Sequence, residues 1–178
     1  MVKNSPEPTT LVVSGKTTDL AAKVAQHVDI CGVRLVDQAA RMSQIVDEPP
    51  KLRRSVREHR FTRDNDKGVV RVDVAFLFEL AENTDESKKN PTVSMRATFA
   101  MFYEVKGLSG FSDEEIDAFA KVNGAYNAWP FWREFVYSTM SRMGLPPIAL
   151  PVFRVVEGEV KSDSEKTDGA EPDAAKAS

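Results

Sequence analysis

The feature that most constrains this chain is a strict apolar–polar alternation repeated over two long neighbouring segments. Val70, Val72, Val74, Phe76 and Phe78 occupy every second position, and Val93, Met95, Ala97, Phe99, Met101, Tyr103 and Val105 do the same after a polar stretch, Glu82 to Pro91. Successive side chains of a strand point to opposite faces, so a period of two predicts two long strands, each with one buried face. Neighbours joined by a polar loop pair antiparallel in the simplest arrangement. Upstream, Val28 to Met42 reads as extended, with Ile30, Val33, Leu35 and Ala39 as inward candidates. Arg53 to Arg63 reads as another strand, set off from Val69 to Leu80 by the turn signal Asp64-Asn65-Asp66-Lys67-Gly68. Pro49-Pro50 marks a long connection between these two stretches.

After residue 106 the period changes. Ser112 and Glu115 form an S-x-x-E capping box, with Asp113 and Glu114 favouring the positive end of a helix, and Ile116, Phe119, Ala120 and Asn123 continue one face. Pro130 has no amide to donate, which predicts a break or kink and a second helix with Pro130 in its first turn. That helix is expected to end at Gly144, before Pro146 and Pro147. A short N-terminal helix is expected over Asp19 to Gln26, where Leu20, Val24 and His27 share a face. Strands first and helices last imply an α+β fold: a four-stranded antiparallel sheet followed by two C-terminal helices packed on one face.

The ten phenylalanines, six methionines, two tryptophans and three tyrosines concentrate between Phe76 and Phe153 and are nearly absent from both ends. Residues 1–18, with Pro6, Pro8 and four threonines around Leu11-Val12-Val13, read as a disordered arm. Residues 157–178 are mostly Glu, Asp, Lys, Ser, Ala and Gly without an aromatic, and such a tail buries too little apolar area to offset its ordering entropy. The folded domain is therefore expected over 19–156. The single Cys31 excludes an internal disulfide, and no basic stretch followed by an apolar run opens the chain. No window approaches the roughly 20 apolar residues of a membrane helix. The expected location is cytoplasmic.

Most signals for chemistry are thin. Gly15-Lys16-Thr17 resembles the end of a phosphate loop, but the earlier glycine position holds Thr10 and no strand of regular pattern precedes it. His27 and His59 have no zinc-like spacing with Cys31, and the plainer reading of His27 and Cys31 is a boundary imidazole and a small core thiol. Asp113, Glu114 and Glu115 serve a helix start better than acid–base chemistry. Residues 51–67 hold seven Lys or Arg against three acids, a possible RNA face, yet Phe61 is the one aromatic there, and Arg57, Arg60 and Arg63 fit wet edge positions. Expected, then, are no catalytic residues, no metal and no cofactor. An α+β dimeric enzyme of unknown reaction, or an RNA-binding module built on residues 51–67, stands as the alternative.

The last helix is the unusual element. Trp129, Trp132, Val136, Met140 and Met143 fall on one stripe, Phe131 and Phe135 on a flank, and Tyr137 opposite. One sheet face cannot cover all of these, so the surplus implies a partner surface or an open apolar groove, with an unusually fat core as the plainer alternative. Flexible methionines suit a surface that accepts varied apolar partners. The candidates for core, client groove or oligomer interface are Phe76, Phe78, Phe99, Met101, Tyr103, Trp132, Phe135, Val136, Met140 and Met143.

Trp129-Pro130-Phe131-Trp132-Arg133-Glu134, the continuation to Arg142, and the exit Gly144-Leu145-Pro146-Pro147-Ile148-Ala149-Leu150-Pro151 resemble the SecB chaperone family, with Gly124-Ala125-Tyr126 similar to the break between that family's two helices. The resemblance implies a SecB-like domain assembled as a dimer of dimers, which holds unfolded polypeptides in apolar grooves without nucleotide, metal, nucleic acid or membrane insertion. It implies that Trp129, Pro130, Arg133, Glu134, Arg142 and Pro146 are structural, with Arg133 and Glu134 a helix-anchoring pair. Export members use acidic residues on the outward sheet face to dock the translocase motor. Here Asp37 matches one such position while Arg41 and Arg96 occupy two others, and the usual last helix gives way to the tail after Val156. Both departures, with the Leu145-Pro146-Pro147 exit, look closer to the branch that protects antitoxins in toxin–antitoxin systems.

Overall fold

A computed structural model of the chain describes residues 10–46, 52–81 and 90–158. The described residues form a four-stranded antiparallel sheet in the order β2 (Val28–Met42), β5 (Val93–Val105), β4 (Val69–Ala81), β3 (Leu52–Asp64). The alternation works as expected: β4 and β5 pair antiparallel, with Val72 opposite Met101 and Phe76 opposite Ala97. Their inward residues, from Val70 to Leu80 and from Val93 to Val105, are buried at every alternate position. The turn between β3 and β4 is held by the Lys67 amide donating to Asp64 Oδ1 at 3.1 Å, and Gly68 takes a φ of 65° that favours glycine.

In β2 the simple alternation is reset twice. Register shifts fall between Ile30 and Gly32 and between Leu35 and Asp37. Each inserts an extra residue, so Val33, Leu35, Gln38 and Ala40 face inward opposite Met101, Phe99, Ala97 and Met95. Ala39, expected inward, instead sits opposite Arg96 on the outward face.

The N-terminal boundary lies earlier than the sequence suggests. β1 (Thr10–Val13) pairs in parallel with β6 (Arg154–Glu157), and Leu11 and Val13 are buried. Helix α1 runs over Gly15–Ala25, not from Asp19, because Ser14 is its N-cap: the Ser14 Oγ accepts the Thr17 amide at 3.2 Å. Gly15-Lys16-Thr17 is thus the first turn of a helix, not part of an arm, and Lys16 Nζ reaches Glu114 Oε1 at 2.7 Å. The arm over 1–9, the connection at Pro49-Pro50, the loop 82–89 and the tail from 159 lie outside the described residues.

Helix α2 (Asp113–Phe119) carries the anticipated capping box, with Ser112 and Glu115 bonded reciprocally. Hydrogen bonds from the Ser112 amide and hydroxyl hold the Glu115 carboxyl below its ordinary value. A π turn (Ala120–Gly124) then leads without interruption into α3 (Ala125–Arg142). The expected break at Pro130 does not occur. Pro130 sits inside α3, which runs on through it, and both Pro130 and Tyr126, whose carbonyl loses its donor, are exposed residues. The irregularity sits upstream, where Gly124 crosses β4 so closely that an added Cβ would lie 2.7 Å from Val72 Cγ1. α3 ends as anticipated: Gly144 has a φ of 73°, and the Leu145 amide donates back to the Met140 carbonyl at 3.1 Å.

The core lies between α2–α3 and the inner faces of β4 and β5. Trp132 stacks on Phe76 with ring centroids 5.2 Å apart, and Tyr103 meets Phe119 edge-on at 5.0 Å. Burial pushes the Tyr103 phenol up, although its oxygen accepts a hydrogen bond from Asn127 Nδ2 at 3.1 Å. The exit segment completes the cover. Leu145, Leu150 and Phe153 are buried, and Trp129 Nε1 donates to the Pro151 carbonyl at 2.9 Å.

Candidate functional site

The helical layer covers the two central strands and stops short of β2. β2 is an edge strand of 15 residues, and most of it is exposed on both faces. On its inner face Ile30 is 50% and Leu35 45% exposed, although both occupy positions that are buried on β4 and β5. Phe131 of α3 reaches toward this gap, its ring 6.1 Å from Phe99, and remains 43% exposed. Farther along, a hollow of about 370 Å³ opens between β2 and α3, lined by Gln38, Ala39, Ala40, Phe135, Thr139, Arg142 and Met143. Together they make a trough, apolar at Ile30, Leu35 and Phe131 and mixed in the hollow, floored by β2 and β5 and walled by α3. The outer rim of this trough is the free edge of β2, whose backbone groups have no strand partner among the described residues. A long exposed edge is a template for a further strand.

The structure sorts the sequence candidates. Phe76, Phe78, Phe99, Met101, Tyr103, Trp132, Val136 and Met140 are buried within the chain itself. For these eight the structure gives core, the first of the three roles that the sequence left open. Phe135 and Met143 are half-buried and line the hollow. The exposed surplus on α3 is Tyr126, Phe131 and Tyr137. The trough residues missing from the candidate set, Ile30, Leu35 and Phe131, had one available signal. In the sequence β2 is interrupted by Arg34, Asp37, Gln38 and Arg41 at both odd and even positions, the mark of an edge strand, where apolar residues stay uncovered; the register shifts turn all three charges outward.

Of the motif residues, Arg133 anchors as expected, its Nε donating to the Leu150 carbonyl at 2.7 Å and tying the exit segment to α3. Glu134 does not pair with it; it is exposed and makes no hydrogen bond or ion pair among the described residues. Pro130 and Pro146 are exposed, and Arg142 borders the hollow.

Arg57, Arg60 and Arg63 of the basic stretch all contact the chain itself. Arg63 is a clamp: its guanidinium donates to the carbonyls of Leu108 and Phe111 and to Asp113, at 2.9 to 3.2 Å. Arg57 lies over the Phe153 ring at 5.1 Å, and desolvation there lowers its pKa. Both were expected to be wet and are not; Arg60 is, with its Nε bonded to Asp73 at 3.0 Å. His59 Nε2 meets Asp117 Oδ1 at 3.2 Å. Cys31 is exposed at the first β2 irregularity, not a core thiol, and its Sγ donates to the Phe102 carbonyl at 3.3 Å. His27 packs instead on Phe111, so it is not a base bonded to that thiol. The described residues hold no His, Cys, Asp and Glu group that could bind a metal, and no helix among them is long and apolar enough to cross a membrane.

No family model matches the chain, and no curated protein matches its sequence. Among solved structures, the Mycobacterium tuberculosis Rv1957 SecB-like chaperone, in complex with a ChAD peptide from the Rv1956 HigA1 antitoxin, superposes with a TM-score of 0.64. At 20% identity the match covers 78% of this chain and 99% of that one. A protein of unknown function from Streptococcus agalactiae matches at a TM-score of 0.36 and 11% identity, too loosely to support an argument. The four-stranded antiparallel sheet, the short helix before it and the helices laid over one face after it are the SecB-like fold, and the chain has that fold.

Proposed function

We propose that the chain is an ATP-independent holdase of the SecB-like kind, acting in the cytoplasm without metal or cofactor and binding extended segments of unfolded polypeptide. The observation that carries this reading is the trough: exposed Ile30, Leu35 and Phe131 beside a hollow edged by Phe135 and Met143, along a strand with a free edge. An unfolded segment laid there would bury alternate apolar side chains, each contributing on the order of 1.5–3 kcal/mol. Its backbone could pair with the edge. Specificity would be low because apolar contact is non-directional. A second copy competes for the same edge and for Tyr126 and Tyr137, so assembly into a dimer of dimers is part of the proposal. It would line up several troughs and raise affinity by avidity.

The solved SecB-like chaperone with a bound antitoxin peptide supports a polypeptide client. For the choice between export and antitoxin protection we favour the second. Arg96 lies 3.7 Å from Asp37, offsetting the one acid that matches the motor-docking positions, and Arg41 adds a further positive charge on that face. The deciding experiment follows light scattering from a chemically denatured client diluted into buffer without ATP. The wild-type chain should suppress aggregation near stoichiometric ratios, and the double variant Leu35→Asp, Phe131→Asp should lose most of that capacity while keeping its circular dichroism. Equal suppression by both would sink the trough as the client site. A clean monomer at micromolar concentration in light scattering would remove the assembled form.

A further inference from the structure

The face of the sheet turned away from the helices carries an ordered band of guanidinium groups that the trough does not use. Arg34 on β2 and Arg71 on β4 both lie over the ring of Phe102 on β5, with guanidinium carbons 5.1 and 5.9 Å from its centroid. An aromatic on the outward face of a sheet is unusual, and here it is half-buried by the two arginines. Arg71 forks onto Asp73, Nε to Oδ1 at 2.7 Å and Nη2 to Oδ2 at 3.1 Å, and Arg60 on β3 donates to the same carboxylate at 3.0 Å. Asp73 is nearly buried. Two cations, Arg71 and Arg60, therefore share one carboxylate, and Arg34 has no ion-pair partner among the described residues.

We infer that this band docks an acidic, extended segment of a partner polypeptide. The stacking and the shared carboxylate fix the arginines in advance, so less side-chain entropy is lost when a carboxylate arrives. Arg34, Ala100, Asp73 and Arg60 lie in one row across all four strands, so the two outer arginines stand about three inter-strand steps, roughly 14 Å, apart. Two carboxylates four residues apart in an extended chain span about the same distance. The neighbouring row along the sheet holds Glu58, which repels a polyanion running past the band; its other acid, Asp37, is offset by Arg96. That confinement favours a short acidic segment over a nucleic-acid strand. The inference is independent of the trough on the opposite face.

The test is fluorescence anisotropy of the full chain with a labelled peptide of Gly and Ser carrying two glutamates four residues apart, and with its Glu→Gln counterpart. The acidic peptide should bind at least tenfold more tightly, and its affinity should fall as added salt shortens the screening length. The Arg34→Glu, Arg60→Glu variant should lose that preference; because Arg60 also serves Asp73, Arg34→Glu alone keeps the test readable if the double variant misfolds. The Leu35→Asp, Phe131→Asp variant should bind the peptide as the wild type does. Equal binding of the two peptides, no change in Arg34→Glu, or tighter binding of a single-stranded oligonucleotide that depends on Arg34 would each overturn the inference.

Discussion

Strands β5 and β2 lie side by side, antiparallel, with alternating apolar residues facing the same side of the sheet, yet they have opposite fates. Every inward residue of β5, from Val93 to Val105, is buried. On β2, Leu35, directly opposite the buried Phe99, is left half in solvent. The difference lies in the cover above. Gly124 brings the helical layer down onto β4 and the Trp132–Phe76 stack seats it there, so α3 spans two strands and ends before the third. A period of two thus tells which way a side chain points, and only the helix above decides whether it is hidden.

The contrast can be broken or sharpened by substitution, compared at one protomer concentration because assembly alters apparent stability. The largest effect is expected on the covered side: Trp132→Ala removes a wholly buried ring stacked between Phe76 and Phe135 and should cost about 3–5 kcal/mol in urea unfolding. Gly124→Ala pushes a methyl group against Val72 and should cost about 1–3 kcal/mol, with partial recovery when Val72→Ala makes room. Leu35→Ala should change unfolding by no more than about 0.5 kcal/mol, as at an exposed site. A cost for Leu35→Ala near that of Trp132→Ala would mean β2 is covered after all, and the distinction between the strands would fall.

Much of the fold was legible. The limits of β2, the β4–β5 pairing and the Ser112 box follow from local rules that the structure obeys. What escaped was non-local or offset by its surroundings. Leu11-Val12-Val13 looks like an isolated run because its partner strand begins at Arg154, and no local pattern advertises a parallel pairing at that separation. Pro130 looks like a helix breaker, but α3 runs on through it with Pro130 on its exposed side. At the site, the stripe of α3 was legible as too apolar for one sheet face, yet the residues that stay uncovered lie off the stripe, at Tyr126, Phe131 and Tyr137, and on β2. Of the stripe, Trp129, Trp132, Val136 and Met140 are core, where the plainer reading holds, and Met143 borders the hollow. The two irregularities in β2 hid the rest by turning Ala39 outward and Ala40 inward.

The parallel pairing of β1 with β6 has a consequence for how the molecule is made. Thr10 emerges from the ribosome early, but the residue it must sit beside is Arg154. At typical elongation rates of 5–20 residues per second, that wait is on the order of ten seconds. Throughout it Leu11 and Val13, buried in the finished domain, have nowhere to go. Completion of the fold is therefore a late, long-range closure, and a nascent copy of this protein presents to its surroundings the same greasy, unpaired strand that its mature form is proposed to shelter in others.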